Sequence, residues 1–448
     1  MTVSLQLATQ SSSYDTAFRA LLEKTANAEP SWLRRMREDS FAHFERTGFP
    51  SVKEEEWKYT NVAAIAKLQF APAFLNGRRG SNGLASFMYD EASQSRLVFV
   101  NGILRRELSS VAGLPAGVSV IDIGEALAGE QNEASLRESL ERAAKSESGF
   151  TALNTALFSS GAFIFIPAGV SVAAPIHLQF LSDSGDGAAS SSFPRVLVLA
   201  GANSAATVVE SYASPGESVY LTNAIVDVQL GAGAHLQHFK VQRESTSAFH
   251  VASTNAELGA NASYDATTIN LGAALSRHTI DVVMDHEGAE CWVDGLYMID
   301  GNQHTDTHSM IDHRQPHCTS HQLYKGILDG KSRAVFNGKV FVRHGAQLTN
   351  AQQTNKNLLL SNEAQVDTKP QLEIFADDVK CAHGAAIGQL EADELFYLES
   401  RGIRPELARN VLTYGFAEEV IEKIKIPSIK RELDTAVLNR LRTDLEIR

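Results

Sequence analysis

The chain has 448 residues, of which 44% are hydrophobic and 21% are charged, a composition typical of a folded globular protein rather than a disordered one. Length alone allows about three domains. The formal net charge of −13 at pH 7 disfavours non-specific electrostatic binding to nucleic acid or to anionic lipid.

The cysteines and the amino terminus indicate a reducing compartment. Cys291, Cys318 and Cys381 are odd in number and far apart, which does not suit a disulfide framework. The first 14 residues lack the basic and apolar regions of a signal peptide, and no apolar run approaches the roughly 18 residues of a membrane helix. We therefore predict a cytoplasmic protein with no membrane partner.

Residues 1–95 are predicted to form a helical region and a linker. Apolar residues recur at helical spacing from Tyr14, and a second helix with one apolar side is predicted to begin at Pro30. Segment 54–61 is interpreted as a helix end packed on the body of the protein, in preference to a binding site. Residues 76–95 are rich in Gly, Asn and Ser and are predicted to be the linker.

Strand patterns begin at Arg96, and from about Ala162 short β-type runs alternate with glycine turns for some two hundred residues. A glycine followed by a small residue and a new strand recurs at Gly201, Gly231, Gly259, Gly288 and Gly345. Successive glycines are spaced by close to 30 residues, except for the last interval, from Gly288 to Gly345, which is close to two periods. We expect that this interval contains one further repeat whose sequence is degenerate, around Pro316. A fixed period carried by strands without helices is typical of a β-solenoid, and we predict that core over residues 96–388. A β-sandwich with coincidentally spaced turns is the alternative.

Residues 389–448 are predicted to be a helical tail. One amphipathic helix ends near Arg401 and Gly402, a second begins at Pro405, and Pro427 separates the second from a third. The last helix carries an apolar residue every four positions: Ile429, Leu433, Val437, Leu441 and Leu445. Such a tail packs on the body and also offers a docking surface.

The segment Gly326–Ser332 is similar to a nucleotide-binding P-loop but departs from it in two ways. Only three residues separate its glycines where a P-loop has four, and a strand-like segment follows Ser332 where a P-loop needs a helix. We therefore expect that this chain binds no nucleotide, and that another subunit binds ATP if ATP is needed.

Histidines cluster between His304 and His321. On a strand His304, Asp306 and His308 share one face, and two imidazoles with a carboxylate suit zinc or iron. The alternative is a polar ladder on an exterior sheet, which needs no metal.

Cys381 and His383 also share a face if their segment is extended, so the sulfur and an imidazole nitrogen can reach one ion. Two ligands do not close a tetrahedral site, which takes four. The pair is therefore half of a site that another chain completes, or it is no site at all.

A set of motifs resembles the SufB/SufD family of iron–sulfur cluster assembly proteins. The motifs occupy most of the chain, at residues 56–60, 153–158, 324–327, 335–339, 355–361, 370–374, 377–385 and 395–403. The family often has Ser or Thr where this chain has Ala382 and Ala386, so a hydroxyl role there is in doubt.

The resemblance implies a right-handed parallel β-helix, mainly β with helical ends, that is a scaffold and not an enzyme. It implies a SufB-like paralogue as partner, and a transient iron–sulfur cluster or iron held near their interface. By similarity His383 is the ligand or relay that faces a cysteine of the paralogue, and Cys381 is a neighbouring thiol. It also implies a SufC-like ABC ATPase that docks on the carboxy-terminal helices, for which the candidate residues are Leu395, Phe396, Tyr397, Arg401, Gly402 and Phe416.

Several alternatives stay open. The isolated chain is a possible homodimer, because unsatisfied strand edges seek partners. Two alternative interpretations concern the role of the chain in the complex. It is either a SufB-like scaffold, or a purely structural subunit that does not ligate the cluster. A solenoid enzyme that acts on a polysaccharide is disfavoured by the polar, signal-free amino terminus.

Overall fold

The computed structural model describes residues 2–26, 29–76, 87–129, 133–144, 146–183 and 189–440. The first part is mostly helical, and its helices are α1 (Thr2–Thr25), α2 (Ser31–Thr47), α3 (Ala63–Lys67), α4 (Ala73–Asn76), α5 (Ile123–Ala128), α6 (Glu133–Ala144) and α7 (Gly149–Leu157). Its short strands are β1 (Ala71–Pro72), β2 (Arg96–Val100), β3 (Ile103–Leu104) and β4 (Ser119–Asp122). Among the described helices, none combines the length and the apolar character that crossing a membrane requires.

Strands then follow one another almost without interruption. They are β5 (Gly161–Ile166), β6 (Ile176–Leu181), β7 (Ser190–Ser192), β8 (Arg195–Ala200), β9 (Ala205–Ala213), β10 (Tyr220–Leu230), β11 (His235–Arg243), β12 (Phe249–Leu258), β13 (Ser263–Asn270) and β14 (Leu275–Met284). The later ones are β15 (Glu290–Ile299), β16 (His304–His313), β17 (Thr319–Leu328), β18 (Arg333–Val342), β19 (Asn350–Leu359), β20 (Gln365–Ile374) and β21 (Lys380–Gly388).

Alternate strands belong to two facing parallel sheets. The even-numbered strands from β8 to β20 pair in order in one sheet, called sheet A, and the odd-numbered strands from β9 to β21 pair in order in the other, called sheet B. Two strands therefore make one coil of about 30 residues. This is the predicted parallel β-solenoid, and the β-sandwich alternative is wrong because the ladders are parallel.

The repeated glycines lie where the chain passes from sheet A to sheet B. The Gly231 amide donates to the Ala200 carbonyl (2.7 Å) and the Gly259 amide donates to the Leu230 carbonyl (2.8 Å), so each turn hydrogen-bonds the turn before it. Gly288 donates to Pro316 (3.3 Å), which places the turn with the degenerate sequence in the same stack, as predicted. Gly288 has a φ of 74°, a conformation that glycine adopts without strain.

Both sheets are covered on their outer faces, as buried parallel sheets require. Helices α2 and α7 and the apolar residues around them form a second core with the outer face of sheet A. Tail helices α9 and α10 cover the outer face of sheet B through residues such as Ile421, Ile429 and Leu433. Helices α5–α7 lie between β4 and β5, inside the range predicted for the solenoid, and β2 before them already pairs in parallel with β6 in sheet B.

The amino-terminal predictions are largely confirmed. Helix α2 begins directly after Pro30, and a single turn of 3-10 helix occupies Glu55–Trp57. The Trp57 ring is buried and stacks on Phe150 with ring centroids 5.4 Å apart, so segment 54–61 packs on the body as predicted. The predicted linker lies partly outside the described residues, at 77–86.

The tail contains the three predicted helices, α8 (Ala392–Ser400), α9 (Pro405–Ile421) and α10 (Pro427–Arg440). Ile429, Leu433 and Val437 are buried against sheet B, and the last two members of the stripe, Leu441 and Leu445, lie outside the described residues. The division into units at 1–95, 96–388 and 389–448 stays a prediction.

Candidate functional site

Cys381 and His383 lie at the open end of the solenoid. Strands β20 and β21 end the two ladders, and each pairs with another strand on one side only among the described residues. Cys381 is in register with Ala351, and His383 with Gln353. Both partners are buried side chains that point into the solenoid, so Cys381 and His383 are on the interior-facing side of the last strand.

The two side chains differ in exposure. Cys381 is half-buried, whereas His383 and the residues that follow it to Gly388 are exposed. Burial raises the pKa of the Cys381 thiol, although contact with the Ala351 backbone opposes the shift. Cys381 is therefore a thiol rather than a thiolate at neutral pH.

The two residues do not form a complete metal site by themselves. In the ranges that the structure describes, no three His, Cys, Asp or Glu side chains gather in a way that could hold a metal ion. A ligand role for Cys381 or His383 thus requires groups from another chain, and it stays a prediction.

Beneath His383 the solenoid interior is polar. Gln353 Nε2 donates to Gln322 Oε1 (2.6 Å), and Gln322 Nε2 donates to Ser309 Oγ (2.7 Å). Beside this ladder the Tyr297 hydroxyl donates to Asn357 Oδ1 (2.5 Å). Sequence reasoning missed this interior, although polar residues at alternate positions of β17 and β19 are a visible signal for it.

A second polar cluster occupies the interior of earlier coils. His238 Nε2 lies 2.5 Å from Glu210 Oε1, and His250 Nδ1 lies 2.7 Å from Glu244 Oε2. Lys240 sits 4.9 Å from the centre of the Tyr212 ring. Burial lowers the pKa of Lys240 to about 8, although the two glutamates oppose the shift.

His304, Asp306 and His308 lie on the outer face of β16 and already have protein partners. Thr60 Oγ1 is 2.9 Å from His304 Nε2 and donates to Asp306 Oδ2 (2.5 Å), while Glu56 Oε2 is 3.1 Å from His308 Nδ1.

The electrostatics of this group centre on an arginine. Arg277 forms a buried ion pair with Asp306 and lies 3.1 Å from His308 Nε2. Burial alone would lower the pKa of His308, but hydrogen bonds to Asp306 and Glu56 outweigh it and raise that pKa. A guanidinium beside an imidazole disfavours a cation there, and metal binding by His304 and His308 stays an untested prediction.

A strand follows the P-loop-like segment. Residues 329–332 form the turn between β17 and β18, and β18 follows at Arg333. The predicted strand is confirmed, and this turn lacks the helix amino terminus that a P-loop uses.

The residues predicted to dock an ATPase fall into two groups. Phe396 (72% exposed) and Tyr397 (57% exposed) lie on α8 with Leu395, and Arg401 and Gly402 follow the helix. Phe416, on α9, lies against the body instead, because the Lys325 amino group is 4.3 Å from its ring centre and donates to its carbonyl (3.0 Å). The exposed surface is therefore α8.

Comparisons with known proteins cover nearly the whole chain. The family described as "SUF system FeS cluster assembly, SufBD core domain" matches residues 180–416, and the "SufBD protein N-terminal region" matches residues 8–178. An iron–sulfur cluster assembly SufBD family protein of Synechocystis is 38% identical, over 87% of this chain and 86% of the relative. The iron–sulfur cluster assembly protein SufD of Escherichia coli is 33% identical (88% and 90%), and SufD of Bacillus subtilis is 27% identical (92% and 95%). The chain therefore belongs to the SufB/SufD family of iron–sulfur cluster assembly proteins, among relatives of the SufD type.

Proposed function

We propose that this chain is the SufD-type, non-catalytic scaffold subunit of a cytoplasmic SufBCD complex that assembles iron–sulfur clusters. Its partners in this proposal are a SufB-like paralogue and a SufC-like ABC ATPase. The observation that carries the proposal is the open end of the solenoid, where an interior-facing thiol and imidazole lie on an edge strand that is paired on one side only among the described residues.

The open end favours pairing with another chain of the same fold. Strands β20 and β21 present unpaired backbone groups, and unprotected strand edges seek further strands. Ile374, Phe375 and Ile387 are exposed there, so water contacts apolar side chains that a partner would cover. A paralogue presents matching ladders, and a second copy of this chain is the corresponding partner when the paralogue is missing.

Ligand counting supports a site shared between two subunits. Cys381 and His383 supply two of the four ligands that a tetrahedral iron or cluster site takes. The cluster, or the iron that forms it, is the cargo of the complex, and the partner supplies the remaining ligands. Because His383 is exposed at the open end whereas Cys381 is half-buried, the proposal assigns the ligand role first to His383.

Coupling to the ATPase is assigned to the tail. Helices α9 and α10 are fixed to sheet B, whereas α8 presents Phe396 and Tyr397 to solvent directly after β21. Only three residues separate the last strand from this helix, so an ATPase bound to α8 acts close to the open end.

A purely structural subunit is the second candidate, and it is favoured by the half-burial of Cys381, which limits the access of a metal ion to the sulfur. In that case the open end still binds the paralogue but contributes no ligand.

The subunit contact is tested by replacing Ile387 with Asp. This side chain is 47% exposed on the edge strand, and a charge there would have to be buried in the complex, so we expect the paralogue to be lost from co-purified complexes. Val219→Asp, at a position 37% exposed before β10, is the matched control and keeps the complex. A complex of unchanged stoichiometry with Ile387→Asp, measured by light scattering, would remove the open end from the interface.

A further inference from the structure

Three polar side chains from three different strands form a continuous ladder toward the open end. Ser309 of β16 accepts from Gln322 of β17, and Gln322 accepts from Gln353 of β19. All three are buried, with Gln353 only 1% exposed. Each amide donates its N–H₂ group to the preceding member of the ladder, so the oxygen of the last amide, Gln353 Oε1, is not used within the ladder.

The Gln353 amide lies close to the backbone of the opposite sheet. A Cβ atom at Gly338 would lie 2.4 Å from Gln353 Nε2, which is closer than a side-chain contact allows. The absence of a side chain at Gly338 therefore leaves the space in which the amide lies.

The side-chain oxygen of Gln353 accepts no hydrogen bond from the described residues. Gln353 Oε1 is buried and has no hydrogen-bond partner among the described residues. A buried carbonyl without a donor is unfavourable, and an orphaned one usually marks a function or a missing partner.

His383 is the next residue in register with this ladder, on the last strand of sheet B. Gln322 is in register with Gln353, and Gln353 is in register with His383, on strands that neighbour one another at about 4.8 Å. Cys381 is in register with Ala351, which is in register with Ser320 on the strand before it. Ala351 has no polar side chain with which Cys381 could form a hydrogen bond.

We propose that Gln353 is a positioning residue for His383. Its Oε1 accepts a hydrogen bond from one imidazole N–H, which fixes the tautomer of the ring and leaves the other nitrogen free to bind metal. A metal-bound histidine commonly donates its second N–H to a carbonyl or carboxylate in this way. The inference rests on the proposed ligand role of His383 and explains why that residue, rather than Cys381, is the better-prepared ligand.

The direct test is the tautomer of His383 in the full-length chain, read from ¹⁵N chemical shifts of ¹⁵N-labelled histidine. The His383 signals are assigned by their loss in His383→Asn. In the wild type we expect one nitrogen to be protonated. In Gln353→Leu, which has no acceptor, we expect both tautomers in exchange. Gln352→Leu is the control, because Gln352 is the exposed neighbour on the same strand, and it should leave the signals unchanged.

A second variant separates positioning from a structural role. Gln353→Glu keeps an acceptor oxygen but, when ionised, loses the N–H that reaches Gln322, so it should retain the single tautomer although the ladder is broken. Gly338→Ala keeps Gln353 but displaces its amide, so it should behave like Gln353→Leu. A single tautomer in Gln353→Leu, or mixed tautomers in both Gln353→Leu and Gln353→Glu, would overturn the proposal.

The cluster content of the purified complex distinguishes this inference from the function on which it rests. If Gln353→Leu mixes the tautomers and also lowers cluster content several-fold, both stand. If the tautomers mix in Gln353→Leu and the cluster content is unchanged in His383→Ala, positioning stands and the ligand role of His383 fails.

Discussion

Single residues far apart in sequence hold the amino-terminal segment against sheet A. The buried Arg277–Asp306 ion pair lies at the centre of this contact, and the Arg277 guanidinium is 3.9 Å from the centre of the Trp57 ring. Thr60 donates to the same carboxylate. Removing one member of a buried pair costs far more than the pair contributes, because it leaves the other charge buried and unpaired.

We therefore expect Asp306→Asn to lower the free energy of unfolding by about 3–5 kcal/mol at pH 7, measured by urea denaturation. Burial alone would raise the pKa of Asp306, but Arg277, His308 and Thr60 together outweigh it and hold that pKa well below its ordinary value. The stabilisation is consequently complete above about pH 4 and is lost as the pH falls through the lower, folded-state pKa. The difference between wild type and variant should shrink below pH 4.

The matched control for this prediction is Asp367→Asn. Its partner Arg333 lies 2.6 Å away, but both side chains are more than a third exposed, so the loss should stay below about 1 kcal/mol. Equal losses for the two variants, or a difference for Asp306→Asn that persists unchanged to pH 2, would contradict the assignment.

At the scale of the strand, glycines make room for aromatic rings inside the solenoid. Gly326 is in register with Tyr297, and Gly295 is in register with Tyr324. A Cβ at Gly326 would lie 2.2 Å from Tyr297 Cε2 and 2.3 Å from Asn357 Oδ1. The ring of each tyrosine thus occupies the space above a glycine of the neighbouring coil.

Gly326→Ala should destabilise the protein by about 1–3 kcal/mol, because the interior has no room for the extra methyl group. The penalty should be smaller in a Tyr297→Leu background, since the shorter side chain vacates the position, and a double-mutant cycle of unfolding free energies measures this coupling. Gly388→Ala, where a Cβ meets nothing within 4 Å, is the control. Additive effects of the two changes would show that the ring and the glycine do not compete for space.

The elements were predictable where local pattern decides them. The glycine period and the proline-started helices of the tail are short-range signals, and Pro316 could be placed because the spacing requires a turn there. Helices α5–α7 were not predicted, because the strand at 96–100, which pairs in parallel with β6, was expected to continue directly into the solenoid without helices between.

The candidate site was predictable only in part. Alternation along a strand gives the shared face of His304, Asp306 and His308, but their partner Thr60 comes from a segment some 240 residues earlier, which no local pattern reveals. The same holds for the Ser309–Gln322–Gln353 ladder, since it exists only once two neighbouring coils are stacked.

At the scale of the whole molecule, the two ends of the solenoid differ. The first strands of the two sheets are paired with short antiparallel strands, β4 against β5 and β3 against β2. At the other end β20 and β21 lack an outer neighbour among the described residues. Repeat proteins need caps to stay soluble, so a solenoid with one capped end and one open end is suited to join another chain at the open end.

We propose that His383 at this open end supplies a ligand to a cluster shared with the partner subunit. This role is tested by the iron and acid-labile sulfide content of the reconstituted three-protein complex with His383→Ala. We expect a complex of normal stoichiometry that holds almost no cluster, while His235→Ala, at an exposed histidine of β11, keeps the wild-type content. Wild-type cluster content in the His383→Ala complex would contradict the claim.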